Sequence, residues 1–192
     1  MAKTFTKIPA DTFSTLQINA GFLTTSFDPI NVSGKDERIM CATTGGISFK
    51  DTPTYTDFGE DIDNCPPNMK ELKKLKGHEV TMSGTAVSLS SDFIQKLVGP
   101  NTTTTATGVT KVVPKNDLGQ TDFETLWWVG DYGDNGWVAI KLINALSTDG
   151  FALQTTNDGK GNSAFTFTGH YSIDAQDTVP YEIYICPSMA AA

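Results

Sequence analysis

Histidine and serine side chains are the first residues to consider for acid–base or nucleophilic chemistry in this chain. The two histidines, His78 and His170, lie far apart in the sequence, and His170 falls on the polar face of a predicted strand. We interpret His170 as a structural strand residue and place His78 just after a helix end. The G-x-S-x-G elbow of serine hydrolases and the phosphate-binding G-x-x-x-x-G-K-[ST] loop are absent. We therefore expect no enzyme, although acids are numerous enough to leave a two-carboxylate glycosidase open.

Cysteines and acidic turns are the residues that could bind a metal ion. Cys41, Cys65 and Cys186 are widely spaced and form no C-x-x-C pair, so we expect three buried, reduced structural thiols and no zinc. The run DYGDNG at residues 131–136 superficially resembles a calcium loop, but its twelfth position, Leu142, is not an acid. We interpret this run as a tight turn, and we predict neither a metal nor a cofactor.

Composition limits the possible partners of the protein. The 192 residues include 22 acids and 14 bases, for a net charge of −8, and Arg38 is the one arginine. Binding to duplex DNA depends on cations that neutralise phosphates, so this balance argues against a DNA-wrapping protein. A hydrophobic fraction of 39% is sufficient for a folded core. The length of 192 residues favours a single folded domain over residues 1–192. No apolar run approaches the length of a membrane span, so we expect no membrane partner.

Charge is strongly segregated along the chain. Residues 51–64 and 116–136 each carry five acids and no base, whereas residues 70–76 carry four lysines and one glutamate. Blocks of opposite sign can steer copies of one chain towards each other, although solvated surfaces explain the same pattern. The candidate contact residues between copies are an acidic set with one aromatic residue and a basic set: Asp57, Phe58, Glu60, Asp61 and Asp63, then Lys70, Lys73, Lys74 and Lys76.

Aromatic residues cluster beside the second acidic block. Trp127, Trp128 and Tyr132 precede the predicted turn, and tryptophan and tyrosine commonly anchor protein interfaces. We predict that these three residues contribute to an interface. The same side chains could form a platform for sugars, so a carbohydrate-binding β-sandwich is the alternative function.

Strands dominate the elements that must position these residues. Apolar and polar residues alternate over 164–173, and residues 137–146 are apolar on both faces, as in a strand covered on both sides. Residues 80–90 alternate with a phase slip between Gly84 and Val87, which predicts a bulge there. Gly45-Gly46 is a further turn or bulge signal. Additional strands are predicted over 16–27, 39–49, 151–155 and 181–186.

Two short helices and two long loops complete the predicted organisation. Helices are expected over 68–76, ended by Gly77, and over 91–98, with Ser91 as N-cap. The predicted fold class is therefore all-β, a β-sandwich or half-barrel with one or two short flanking helices. Residues 51–67 and the Thr-rich residues 99–120 show no such periodicity. Loops of this length commonly bind something, and a neighbouring copy is the partner that we expect.

Five long segments resemble one protein family. They are IPADTFSTLQINAGFL at 8–23, ATTGGISF at 42–49, the run from DFGEDIDN to MSGT at 57–85, DFETLWWVGDYGDNGWVAIKLINALSTDGF at 122–151, and GKGNSAFTFTGHYSIDAQDTVPYEIYI at 159–185. In this order they resemble the major tail proteins, or tail tube proteins, of long-tailed bacteriophages with non-contractile tails (the siphophage type). The resemblance covers nearly the whole chain apart from about residues 101–110.

The resemblance implies a structural protein of the virion. It implies hexameric rings that stack into a hollow tail tube, with strands of each subunit joined in one inner β-barrel between subunits. The loop at about 51–67 would reach the adjoining ring. The implied partners are further copies of the chain, a tape-measure protein, a tail terminator, distal tail or baseplate proteins, and viral DNA that passes through without specific binding. Assembly would take place in the cytoplasm of the bacterial host.

Overall fold

The computed structural model describes residues 8–32 and 39–187, and strands make up most of them. The predicted all-β class is confirmed. The strands are β1 (Gln17–Thr24), β2 (Thr43–Asp57), β3 (Lys73–Ala86), β4 (Asn101–Ala106), β5 (Val109–Pro114), β6 (Glu124–Tyr132), β7 (Gly136–Ser147), β8 (Ser163–Gly169) and β9 (Tyr181–Cys186). Helix α1 spans Ser91–Val98, and single 3-10 turns cover Phe13–Thr15, Lys70–Leu72 and Gln120–Asp122.

The main sheet is antiparallel and curls into a half-barrel. Its order is β1-β6-β7-β8-β3-β2, and β9 also pairs with β7. Strand β7 pairs with β9 over Trp137–Leu142 and with β8 over Ala145–Ser147. Between these two stretches Asn144 has a φ of 49°, a left-handed conformation that bends the strand. The change of partner at this bend lets one continuous strand serve both halves of the curled sheet.

The core lies inside the curl and beneath α1. Phe93 of α1 packs edge-on against Phe165 of β8, with ring centroids 5.7 Å apart. Gly84 of β3 permits this packing, because a Cβ there would lie 2.8 Å from Ile47 Cδ1 and 2.9 Å from Phe165 Cζ. Further large apolar side chains with no exposed surface come from three strands and the helix: Leu23, Val80, Met82, Leu97 and Leu142.

A smaller apolar cluster covers the opposite face of β6 and β7. It contains Phe27, Trp127, Val129 and Ala139. Strand β7 therefore sends Val138 and Leu142 into the main core and Ala139 to the outer cluster. The prediction that this strand is buried on both sides is confirmed.

Helix α1 occupies the predicted residues, but its N-cap is Ser90 instead of Ser91. The Ser90 hydroxyl accepts the Phe93 N–H at 3.1 Å, a bond that a residue inside the helix could not make in this way. Phe93 and Leu97 are the buried residues of the helix. None of the described helices has the length and apolarity needed to cross a membrane.

Replacing this cap is expected to weaken the fold measurably. Ser90→Ala removes the acceptor of one helix N–H and should lower the free energy of unfolding by about 1 kcal/mol. Ser91→Ala is the matched control, since the Ser91 hydroxyl contacts only the exposed carboxylate of Asp92. Urea unfolding of both variants measures the difference, and equal stabilities would contradict the assignment of the cap.

The predicted helix over 68–76 is wrong. Only Lys70–Leu72 forms a 3-10 turn, and β3 begins at Lys73. Residues 73–77 instead pair with β2, where Leu75 lies opposite Tyr55. A helix of this length is marginal alone, whereas pairing with β2 supplies ladder hydrogen bonds from Lys73 onward. His78 is accordingly a strand residue and not a helix-end residue.

Three other features of the strands also differ from the prediction: the position of a bulge, one predicted strand and the end of another. The bulge predicted between Gly84 and Val87 lies instead in the partner strand β2, at Gly45-Gly46, where φ is 75° and 81°. Strand β3 pairs regularly with β8 up to Ala86. Gly45-Gly46 as a bulge is thus confirmed, whereas the bulge within β3 lies at Lys76, far from the predicted slip between Gly84 and Val87. The strand predicted over 151–155 reduces to one bridge between Gln154 and Asn162. The strand predicted over 164–173 ends at Gly169.

Both long segments predicted as loops contain strands. Residues 51–57 belong to β2, and residues 99–120 hold the β4–β5 hairpin, which forms a separate two-stranded sheet. Thr107 and Gly108, with φ of 53° and 79°, make its tight turn. The Thr-rich residues 99–120 were predicted as a loop because an exposed hairpin has no buried face, so its sequence lacks the alternation of apolar and polar residues that indicates a strand.

Candidate functional site

The β2–β3 hairpin extends well beyond the rest of the sheet. Strand β8 pairs with β3 only over Val80–Ala86, but β2 and β3 stay paired as far as Asp57 and Lys73. We call residues 52–79 the arm and residues 58–72 its tip loop. At about 3.3 Å per residue, the paired part of the arm projects by about 20 Å. An element of this shape offers surface to another molecule.

Hydrogen bonds fix the base of the arm to the body. The Asp51 carboxylate lies 2.8 Å from His78 Nδ1. It also accepts a hydrogen bond from the Tyr181 hydroxyl, with 3.0 Å between the two oxygens. The Tyr171 hydroxyl accepts the His78 backbone N–H at 3.0 Å. Burial, together with the bond to Asp51, raises the pKa of the Tyr181 hydroxyl above its ordinary value. Asp51 thus belongs to a structural network at the base and not to an open acidic loop.

Asp57 closes the tip loop within its own chain. Its two carboxylate oxygens accept the backbone N–H of Gly59 at 2.9 Å and that of Asn68 at 3.0 Å. These bonds hold the pKa of Asp57 below its ordinary value. The Asp57 carboxylate therefore has a structural role in its own loop, and the predicted contact of Asp57 with another copy stays a prediction. Lys73 assists by donating to Asn68 Oδ1 at 2.9 Å.

Removing this carboxylate is expected to loosen the tip loop. In Asp57→Ala, amide exchange at Gly59 and Asn68 should accelerate several-fold, because both donors lose their acceptor. Since the folded pKa is lowered, the stabilisation is present above the unfolded pKa and is lost as pH falls through the folded pKa. Hydrogen exchange read by NMR measures both effects. Asp63→Ala is the control, and equal exchange in the two variants would contradict this role.

The arm carries an unusual amount of exposed apolar surface. Five of its large apolar side chains are between 40% and 60% exposed: Tyr55, Phe58, Ile62, Met69 and Leu75. Tyr55 and Leu75 face each other across the ladder. Exposed apolar side chains gathered on one projecting element commonly mark an interface. Of these five residues, only Phe58 was among the contact residues predicted from the sequence. Leu75 was left out because it was assigned to a helix, whereas it lies in strand β3.

The two charged sets predicted from sequence lie on this one arm. The tip loop carries the acids Glu60, Asp61 and Asp63, all exposed. The basic set follows it, mostly along β3, and is also exposed: Lys70, Lys73, Lys74 and Lys76. The Lys70–Glu71 pair at 3.5 Å is largely exposed to solvent, so it contributes little stability. The arm is therefore acidic at its tip and basic along one strand.

The predicted interface tryptophans are instead core residues. Trp127 and Trp128 are only 6% and 9% exposed, and Trp128 Nε1 donates to the Ala20 carbonyl at 2.9 Å. Tyr132 is half-buried against the main core. The prediction that Trp127 and Trp128 lie at an exposed interface is wrong, because β6 is an inner strand covered on both faces. For Tyr132 it stays a prediction. Trp127 and Trp128 are also too buried to form the predicted sugar-binding platform.

A large groove lies beside the β6–β7 turn, which is the tight turn predicted at 131–136. It has a volume of about 1150 Å³, and we call it the acidic groove. Phe13, Phe22 and Trp137 supply apolar lining, and the exposed Asp131 and Asp134 supply its charge. No lysine or arginine lines the groove in the described part of the chain. Sequence reasoning missed the groove because its walls come from β1, β6 and β7.

A second cleft of about 630 Å³ lies between α1 and the turn at Gln120–Asp122. Three of its four charged lining residues are in ion pairs, Lys96 with Glu124, and Asp122 with Lys115 at 3.3 Å, whereas Asp92 forms none with another described residue. Among residues 8–32 and 39–187, no group of three or more histidine, cysteine or acidic side chains is placed to hold a metal ion. Neither observation favours catalysis in this cleft.

Burial distinguishes the three cysteines. Cys41 is buried, and this burial raises the pKa of its thiol to about 11, which keeps it protonated and unreactive. Cys65 and Cys186 are partly exposed, so the expectation of three buried thiols holds only for Cys41. Cys65 lies in the tip loop, where Sγ is 3.4 Å from Met69 Sδ.

No protein-family model matches this chain, and a comparison with curated proteins found no match. The functional argument therefore depends on the arm, the acidic groove and the strand edges.

Proposed function

We propose that this chain is a structural virion protein that assembles with copies of itself into stacked hexameric rings, forming the hollow tail tube of a bacteriophage with a non-contractile tail. The observation that carries the proposal is the arm, a projecting hairpin whose apolar side chains are exposed in the single chain. Contact with a neighbouring ring would bury them. Head-to-tail contacts of this type generate an open filament.

Unpaired strand edges support self-assembly. In the described part of the chain, β2 pairs only with β3, so one edge of its 15 residues keeps unpaired backbone groups. Free edges of this length pair readily with other strands unless they are covered. Pairing with sister copies in a closed barrel would satisfy these groups and remove the edge.

The acidic composition suits a conduit for DNA. With a net charge of −8 per copy, a ring of six subunits repels phosphates and lacks the cations that hold DNA. We expect Asp, Glu, Asn, Ser and Thr to dominate the lumen. A tape-measure protein inside the growing tube, and terminator and distal tail or baseplate proteins at its ends, complete the proposed set of partners.

Imaging the purified protein tests the proposal. At raised concentration it should form rods or rings of uniform diameter by negative-stain electron microscopy, with a matching rise in mass by light scattering. A monomer that stays monodisperse at all concentrations, with no rods after seeding with preformed ends, would contradict it.

A further inference from the structure

The arm and the acidic groove have complementary properties. The arm presents Tyr55, Phe58 and Leu75 as exposed apolar side chains, and Lys74 and Lys76, the neighbours of Leu75 in the sequence, add exposed positive charge. The groove presents apolar walls with Asp131 and Asp134 beside them. An apolar contact bordered by opposite charges is the usual composition of a specific protein interface.

The charges concerned are available for a partner. Within the described residues, Lys74, Lys76 and Asp134 form no ion pair or side-chain hydrogen bond, and all three are exposed. Asp131 is exposed and accepts only the Asn19 amide at 2.7 Å. By contrast, Lys73 is engaged within the arm, where Nζ lies over the Tyr55 ring at 5.7 Å.

Size and placement also fit. The groove volume of about 1150 Å³ accommodates several large side chains. Asp131 and Asp134 lie in β6 and in the turn that joins β6 to β7, whereas the arm is the hairpin of β2 and β3, so each copy carries the groove and the arm on different elements.

We infer that the occupant of the acidic groove is the arm of a second copy of this chain, with Lys74 and Lys76 of one copy facing Asp131 and Asp134 of the next. The inference rests on the proposed self-assembly and names the surface that receives the arm. Each copy both gives an arm and receives one, so the contact is heterologous and repeats along the tube.

Complementary charge reversal tests this pairing. The groove variant Asp131→Lys/Asp134→Lys and the arm variant Lys74→Glu/Lys76→Glu should each raise the protein concentration needed for rod formation by about tenfold or more, because like charges then meet. The chain with all four substitutions should return to near the wild-type concentration. The control Asp149→Lys/Asp174→Lys makes the same charge change at exposed acids outside the groove and should have little effect.

Carbodiimide cross-linking of the wild-type rods keeps the test independent of variant folding. Mass spectrometry should find amide links between Lys74 or Lys76 of one copy and Asp131 or Asp134 of another. If wild-type rods form but these links are absent and the groove variant assembles at the wild-type concentration, the pairing is wrong while self-assembly stands. Failure of wild-type protein to form rods would instead overturn the proposed function and this inference with it.

Discussion

Replacing Phe58 and Ile62 with aspartate is expected to abolish rod formation while the subunit stays folded. These side chains are 60% and 52% exposed in the single chain, so their replacement removes little buried area from the fold. Burial of both in a contact between rings would contribute about 3 kcal/mol or more. Their loss therefore raises the concentration needed for assembly by about a hundredfold or more. Light scattering and electron microscopy over a dilution series measure the change.

The matched control places aspartate at exposed apolar residues outside the arm. Leu153→Asp/Ile173→Asp makes the same chemical change at residues that are also exposed. This control should assemble at the wild-type concentration. Equal rod formation by the Phe58/Ile62 variant and by wild-type protein, with both folded by circular dichroism, would exclude the arm as the contact between rings.

Replacing Phe165 with alanine is expected to cause the largest loss of stability. Phe165 is 1% exposed and packs against Phe93 of α1 and Phe167 of β8. Truncation leaves a cavity that the curled sheet cannot close, so the free energy of unfolding should fall by about 3–5 kcal/mol. Chemical denaturation of the unassembled subunit gives the value.

Ile173→Ala provides the comparison for this stability measurement. Ile173 is 79% exposed, so its truncation should change the free energy of unfolding by less than about 0.5 kcal/mol. A loss below about 1 kcal/mol in Phe165→Ala would show that α1 and β8 do not share the core described above.

Local periodicity was sufficient to predict much of the fold. Alternation identified β8 and the double burial of β7, and one apolar stripe identified α1. The start of β3 could not be recognised, because Leu72 and Leu75 also fit a helix and the competing partner, β2, lies elsewhere in the sequence. The β4–β5 hairpin is exposed on both faces and therefore gave no pattern.

The candidate site was only partly accessible to sequence reasoning. Charge segregation identified the acids and lysines of the arm, because such blocks are visible without a fold. It could not show that Asp57 binds Gly59 and Asn68 in its own loop. The burial of Trp127 and Trp128 depends on the inner position of β6 in the sheet, which emerges only from long-range pairing.

Helical reconstruction by cryo-electron microscopy of the assembled protein tests the central claim most directly. We expect a hollow tube of stacked six-membered rings, a continuous β-barrel lined mainly by acidic and neutral polar side chains, and each arm in contact with the next ring. A lone monomer at every concentration, or a bore lined by lysines, would contradict the account.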